Sequence, residues 1–177
     1  MKIICVNGYA RSGKDEFCNY AFTNRGLVYP FSTIDKVKQI ATDLGWDGVK
    51  DKKGRKFLSD LKDCLTEYND LPSRYIIAEI DNRMSVIDDE YYDDVVFLVQ
   101  MREPEEIKRW KEMYDARALL IQRPSFGGDW GNHADDNVLL GEYDYELNND
   151  GSLKEWEDKT IKFIDMVRKE KDWESHV

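Results

Sequence analysis

Residues 2–15 read KIICVNGYARSGKD, and this stretch decides the fold of the 177-residue chain. Lys2 to Val6 is an almost continuously apolar run, as expected for a parallel strand that is buried on both faces. The run breaks at Gly8, and the residues from Lys14 to Asn24 have the apolar spacing of a helix. The sequence therefore predicts a strand, a glycine-containing loop and a helix, in that order, at the start of the chain.

The predicted loop fits the spacing G-x-x-x-x-G-K, which cradles phosphates when it follows a strand and precedes a helix. Glycine permits backbone conformations that turn successive N–H groups inward around an anion. The N-terminus of the following helix adds partial positive charge. We predict that the loop binds the phosphates of ATP and that Lys14 reaches the β- and γ-phosphates. The predicted binding residues here are Gly8, Tyr9, Ala10, Arg11, Ser12, Gly13, Lys14 and Asp15.

Asp15 stands where this motif usually has Ser or Thr, whose hydroxyl binds Mg²⁺. A carboxylate is a hard oxygen ligand that Mg²⁺ also accepts. The deviation is therefore compatible with metal binding, and we predict that Asp15 contacts Mg²⁺ directly or through water. The alternative is that Asp15 only caps the start of the helix.

Beyond the first strand and helix, the sequence continues to alternate short apolar strands with amphipathic helices. This alternation predicts an α/β fold in which a five-stranded parallel sheet is covered by helices on both faces. We expect a single domain over residues 1–177. The five strands are predicted at Lys2–Val6, Leu27–Phe31, Val95–Val99, Ala118–Ile121 and Tyr143–Leu147.

Two segments are longer than a simple connection between neighbouring parallel strands requires. Residues 33–92 carry three predicted helices, and we expect them to form a substrate-binding cap. Within this cap the polar, mostly basic stretch Val49–Arg55 is expected to be a loop. Residues 123–140 are rich in Gly, Asp and Asn, and long loops of this kind are usually functional, so we expect a lid there.

The composition limits the possible partners and location. The chain is 41% hydrophobic with a net charge of −10, which indicates a folded protein and opposes nonspecific binding to nucleic acid. Its three cysteines lack metal-type spacing, as is typical of reduced thiols. Long apolar runs are absent from the sequence. We therefore predict a cytoplasmic protein that binds neither nucleic acid nor membranes.

The loop core from Arg11 to Asp15, RSGKD, resembles that of phage-type deoxynucleoside monophosphate kinases and of animal-type phosphomevalonate kinases. Arg102 after the third predicted strand and the stretch Tyr143–Leu153 are also similar to these families. The resemblance implies a nucleoside-monophosphate-kinase-like P-loop enzyme that transfers the γ-phosphoryl group of ATP to a nucleoside or deoxynucleoside monophosphate. It further implies that Asn149 lies near the adenine. The phosphomevalonate kinase likeness implies an alternative acceptor, another small phosphorylated metabolite.

Gln100 departs from the pattern of these families. They usually have an Asp two residues before the arginine, where a carboxylate orders Mg²⁺ and its waters. Glu103, Asp81 and Asp15 are the carboxylates that could compensate. The departure prompts a third hypothesis, a nucleotide-binding module that does not transfer phosphate.

Phosphoryl transfer depends on cations positioned around the migrating group, and the arginine fork matches phosphate oxygens two at a time. Arg102 and Arg123 each follow a predicted strand at its carboxyl end, the edge where open α/β sheets bind ligands. Arg11 either contacts the transferred group or substrate, or is solvated. We predict Lys14, Arg11 and Arg102 as catalytic residues and Arg123 as a nucleotide contact.

The acceptor is expected to meet charged residues of the predicted cap. Asp35 could bind a sugar hydroxyl or a base, and a role at the start of a helix is the alternative. For the basic residues of this region, the alternative to phosphate binding is an ordinary solvated surface charge. The predicted substrate residues are Asp35, Arg55, Arg74 and Arg83.

Overall fold

The computed structural model describes residues 1–125, 138, 141–171 and 173. The strands in these ranges are Lys2–Asn7 (β1), Val28–Ser32 (β2), Val96–Gln100 (β3), Arg117–Gln122 (β4) and Tyr145–Asn148 (β5). The α-helices are Lys14–Asn24 (α1), Asp35–Asp43 (α2), Lys52–Asn69 (α3), Leu71–Met84 (α4), Pro104–Tyr114 (α5) and Leu153–Lys169 (α6), and a 3₁₀ helix covers Asp89–Asp94.

The five strands form one sheet in the order β2-β3-β1-β4-β5. β1 lies at its centre, parallel to β3 and β4, with Ile4 opposite both Leu98 and Arg117. β4 in turn pairs with β5 in parallel, with Leu120 opposite Glu146. The predicted α/β fold with a five-stranded parallel sheet is therefore confirmed.

Helices cover both faces of this sheet. On one face, Ile4 and Val6 of β1 pack in a buried cluster with Phe17 of α1 and with Trp156 and Ile164 of α6. Alternate residues of a strand point to opposite faces, so the other β1 side chains face away from this cluster. That second face is covered by α5, which contacts β1 and β4.

The chain divides into two compact units, one formed by Met1–Pro30 with Asp88–Val177 and the other by Phe31–Ile87. The second unit has a core of its own, in which Val37 and Ala41 of α2 are buried with Leu58 of α3. It closely matches the segment predicted as a substrate-binding cap, and that role remains a prediction.

The start of α3 corrects one expectation. The stretch Val49–Arg55 was expected to be a loop, but α3 begins at Lys52, so that Arg55 lies within a helix. The physical reason is the N-cap residue Asp51, whose carboxylate accepts a hydrogen bond of 2.7 Å from the backbone N–H of Gly54. This cap offsets the unfavourable position of several cations in the first turn.

The predicted lid, residues 123–140, falls largely on residues 126–137, 139 and 140, which lie outside the described residues. The lid therefore stays a prediction. Within the part of the chain that the structure describes, no helix is both long enough and apolar enough to cross a membrane.

We expect Ser152→Ala to destabilise the protein by about 1 kcal/mol, because it removes the N-cap of α6. The Ser152 hydroxyl accepts from the Glu155 N–H, and the Glu155 carboxylate accepts from the Ser152 N–H, which is a capping box. Urea unfolding measures the change. Ser59→Ala, at an exposed position inside α3, is the control and should stay within about 0.5 kcal/mol of the parent. Equal unfolding midpoints for Ser152→Ala and the parent would contradict the role of this cap.

Candidate functional site

The loop of residues 8–13 connects the carboxyl end of the central strand β1 to the first turn of α1. β3 ends at Gln100, β4 at Gln122 and β5 at Asn148. Because these strands are parallel to β1 or to each other, the residues that follow them lie along the same edge of the sheet. The predicted site residues Arg102, Arg123 and Asn149 are among these. This is the edge where ligands bind in open α/β sheets.

The backbone of the loop turns sharply at three residues. Gly8, Arg11 and Gly13 have φ angles of 150°, 61° and 100°, in the region that residues with a side chain rarely adopt. The loop approaches β4 so closely at Gly8 that an added Cβ would lie 2.3 Å from the carbonyl oxygen of Ile121. The first glycine of the motif is therefore required both by its φ angle and by the lack of space.

Lys14 folds back over the loop instead of extending into solvent. Its side chain is buried, and its Nζ donates to the carbonyl oxygens of Gly8 at 2.5 Å and Tyr9 at 2.6 Å. The ammonium group is thus held at the loop by the loop's own oxygens. The positive charge is therefore already positioned at the loop when no ligand is bound.

The Ser12 hydroxyl is a buried polar group of the loop. Ser12 is 2% exposed, and its Oγ has no hydrogen-bond partner among the described residues. The Oγ would lie 2.7 Å from a Cβ added at Gly8, so it packs against the concave start of the loop. Buried hydroxyl groups are nearly always hydrogen-bonded, so this donor fits a loop that receives an oxygen-rich anion.

Asn7, the last residue of β1, holds the start of the loop and was not predicted from the sequence. Its Oδ1 accepts from the Gly8 N–H at 2.8 Å, and its Nδ2 donates to the Tyr143 hydroxyl at 2.7 Å and to the Arg102 carbonyl at 3.2 Å. The Tyr143 hydroxyl donates in turn to the Val138 carbonyl. Burial raises the pKa of Tyr143 to about 12, so the hydroxyl stays protonated and can serve both bonds.

Asn149 and Trp156 hold the end of the loop. The Asn149 Nδ2 donates to the Ser12 carbonyl at 2.9 Å, and the Trp156 Nε1 donates to the Gly13 carbonyl at 3.4 Å. A Cβ added at Gly13 would lie 2.2 Å from the Asn149 Nδ2. The second glycine of the motif is therefore required by these two side chains as well as by its φ angle.

Gln100 ends β3 beside the loop, where Val6 is its partner in β1. Its Nε2 donates to the Sγ of Cys18 on α1 at 3.4 Å. Burial raises the pKa of the Cys18 thiol to about 12, although the bond from Gln100 opposes the shift, so the sulfur is uncharged. The end of β3 therefore carries a neutral pair where the resembled families have a carboxylate.

The structure places Asp15 exposed in the first turn of α1, directly after Lys14. Among the described residues, no three His, Cys, Asp or Glu side chains lie close enough to hold a metal ion. The assignment of Mg²⁺ to Asp15 thus stays a prediction. It is compatible with an ion that takes most of its ligands from phosphate oxygens and water.

The predicted arginines Arg11, Arg102 and Arg123 are all exposed. Arg102 is tied to the loop through its backbone carbonyl, which accepts from Asn7. Arg123 lies near Asp150, whose pKa is lowered mainly by hydrogen bonds from Ser125 and additionally by the Arg123 charge. The contact of these three arginines with a ligand stays a prediction.

The four predicted substrate residues belong to the Phe31–Ile87 unit. The Asp35 carboxylate accepts from the Ser32 N–H at 2.9 Å and pairs with Lys38 at 3.5 Å, which is the helix-start arrangement. Arg55 lies on α3, and Arg74 and Arg83 lie on α4, all three exposed. Their role toward a substrate stays a prediction.

We expect Gly8→Ala to lower the free energy of unfolding by about 2 kcal/mol or more, because the added methyl group meets the Ile121 carbonyl in a strained backbone conformation. Thermal unfolding followed by circular dichroism measures the loss. Gly26→Ala is the matched control, since an added Cβ there meets nothing within 4 Å. A Gly8→Ala protein as stable as Gly26→Ala would show that the loop does not approach β4 as described.

The similarity of the chain to known proteins is low. No protein-family model matches it, and no curated protein does either. Among solved structures, it is similar to a dephospho-CoA kinase from Campylobacter jejuni, with 15% identity, a TM-score of 0.49, and coverage of 94% of this chain and 97% of that chain. It is also similar to a sugar kinase from Janibacter sp., with 15% identity, a TM-score of 0.47, and coverage of 93% and 95%. At this level, the two similarities carry no inference about what the chain acts on.

Proposed function

We propose that this protein is an ATP- and Mg²⁺-dependent phosphotransferase that moves the γ-phosphoryl group of ATP to a nucleoside or deoxynucleoside monophosphate. The observation that carries the proposal is the loop after β1. Its backbone has positive φ angles at Gly8, Arg11 and Gly13, and the side chain of Lys14 is buried against it. This geometry suits a polyphosphate, because a loop with positive φ angles can turn backbone N–H groups toward an anion, and the ammonium group beside it attracts negative charge.

In the proposed complex, Lys14 exchanges protein oxygens for phosphate oxygens. Its ammonium group now bonds the carbonyls of Gly8 and Tyr9, which are neutral acceptors. A phosphate oxygen adds charge–charge attraction that a neutral carbonyl oxygen lacks, so phosphate competes well for this donor. Lys14 then stabilises the negative charge that spreads over the equatorial oxygens during transfer.

The residues near Lys14 also suit a nucleotide-bound Mg²⁺. Asp15 offers a carboxylate at the exposed first turn of α1, adjacent to where the phosphates are expected. Mg²⁺ is commonly held by one or two carboxylates together with substrate phosphates and waters. When bound, the ion neutralises charge on the β- and γ-phosphates.

The arginines complete the proposed environment of the transferred group. Arg11 lies in the loop itself, and Arg102 follows β3 with its carbonyl fixed by Asn7. Both guanidinium groups can contact the migrating phosphoryl group, while Arg123 after β4 contacts the nucleotide. We assign the acceptor to charged residues of the Phe31–Ile87 unit, namely Asp35, Arg55, Arg74 and Arg83.

A small phosphorylated metabolite that is not a nucleotide is the second candidate, because cations of the Phe31–Ile87 unit would serve either phosphate. Cytoplasmic location and the lack of nucleic-acid and membrane partners remain predictions from composition. A panel of acceptors decides between the two substrate classes.

Gln100 favours one rival, a module that binds nucleotide without transferring phosphate. Its amide is engaged with Cys18 and supplies no negative charge at the end of β3. Gln100→Asp tests this rival by placing a carboxylate at the end of β3, on a side chain one methylene shorter than that of Gln100. Binding of Mg·ATP without transfer by the parent, with transfer restored in Gln100→Asp, would establish the rival.

The proposed function predicts ADP release that depends on a monophosphate acceptor. We expect Lys14→Ala to lower kcat by about 10²-fold or more, because a fixed cation at the transferred group is removed. A coupled ADP assay over nucleoside and deoxynucleoside monophosphates measures this, with calorimetry to follow Mg·ATP binding. Lys162→Ala, an exposed change on α6, should leave kcat unaltered.

Two outcomes would overturn the proposal. The first is a well-folded parent protein that shows no binding of Mg·ATP by calorimetry. The second is a Lys14→Ala protein that releases ADP as fast as Lys162→Ala. Turnover only with acceptors that are not nucleotides would instead support the second substrate class.

A further inference from the structure

The side chain of Asn149 is directed at the backbone of the phosphate loop. Asn149 follows β5 directly, and its backbone N–H donates to the Gln122 carbonyl at 2.8 Å, which extends the β4–β5 pairing. The residue is 8% exposed, and its Nδ2 donates to the Ser12 carbonyl at 2.9 Å. A hydrogen-bonded backbone and a buried side chain thus hold this amide in one orientation.

A bond to the Ser12 carbonyl also determines where the Gly13 N–H points. These two groups belong to one peptide unit, which is planar and trans, so they point in opposite directions. With the carbonyl fixed toward Asn149, the N–H of Gly13 faces away from Asn149. We propose that Asn149 is a positioning residue, which holds the Ser12 carbonyl so that the Gly13 N–H donates to a phosphate oxygen of the bound triphosphate.

The packing around Gly13 supports this assignment. A Cβ at Gly13 would lie 2.2 Å from the Asn149 Nδ2 and 3.2 Å from the Trp156 Nε1, so the backbone at Gly13 lies directly against both donors. Trp156 donates to the Gly13 carbonyl at 3.4 Å, a longer bond than the one from Asn149. Asn149 thus holds the Ser12–Gly13 peptide, whereas Trp156 bonds the next peptide, between Gly13 and Lys14.

This inference rests on the proposed function and differs from the sequence-based expectation that Asn149 lies near the adenine. A residue that acts on the base affects only ligands that contain the base. A residue that orients a backbone N–H of the loop affects the affinity of any ligand that contains the polyphosphate. The two roles are therefore separable by comparing Mg·ATP with inorganic tripolyphosphate.

The experiment measures binding of Mg·ATP and of tripolyphosphate by calorimetry to the parent protein and to Asn149→Ala and Asn149→Asp. We expect Asn149→Ala to weaken both ligands by the same factor of about ten, as for the loss of one oriented hydrogen bond. Asn149→Asp keeps the shape but sets a carboxylate against the Ser12 carbonyl, so the loss should be larger. Asn24→Ala, at the far end of α1, is the control and should bind both ligands as the parent does.

Tripolyphosphate affinity within twofold of the parent in a folded Asn149→Ala protein would overturn the inference, and a loss confined to Mg·ATP would assign Asn149 to the base. A measurement on the parent protein avoids any folding defect of the variants. Titration with tripolyphosphate should shift the Gly13 amide resonance in the ¹⁵N–¹H spectrum, and an unmoved resonance at saturation would also overturn the inference. A parent protein that binds neither ligand would defeat the proposed function itself.

Discussion

The close approach of Gly8 to the Ile121 carbonyl is the constraint on which the rest of the site depends. β1 lies between β3 and β4, so the residues that follow β1 leave the sheet next to the ends of both neighbouring strands. A side chain at Gly8 would collide with β4 backbone, and only glycine permits the turn. The conformation of the loop, the burial of Lys14 and the position of the first turn of α1 all depend on this close approach.

Much of this arrangement could be predicted from the sequence because the information is local. The motif spacing, the apolar run before it and the helical pattern after it gave the bounds of α1 correctly, and continuous apolar runs indicated the inner strands. The start of α3 was missed because its charged residues look like a loop. Only the capping bond between Asp51 and Gly54 shows why a helix begins there.

The polar contacts that hold the loop could not be predicted, because they join residues far apart in the sequence. Asn7 meets Tyr143, and Trp156 meets Gly13, only after the order of the strands brings their ends together. No periodicity or motif encodes these pairs. An asparagine directly before the first glycine was the one available signal, since a polar residue at the end of a buried strand needs partners.

The placement of Asn149 and Trp156 has a consequence for the making of the protein. A nascent chain that has left the ribosome only through β4 already contains the whole glycine loop and its lysine. It still lacks Asn149 and Trp156, which donate hydrogen bonds to the loop backbone, and the strand β5 and helix α6 that position them. The loop therefore reaches its finished conformation only after the chain as far as Trp156 has been translated.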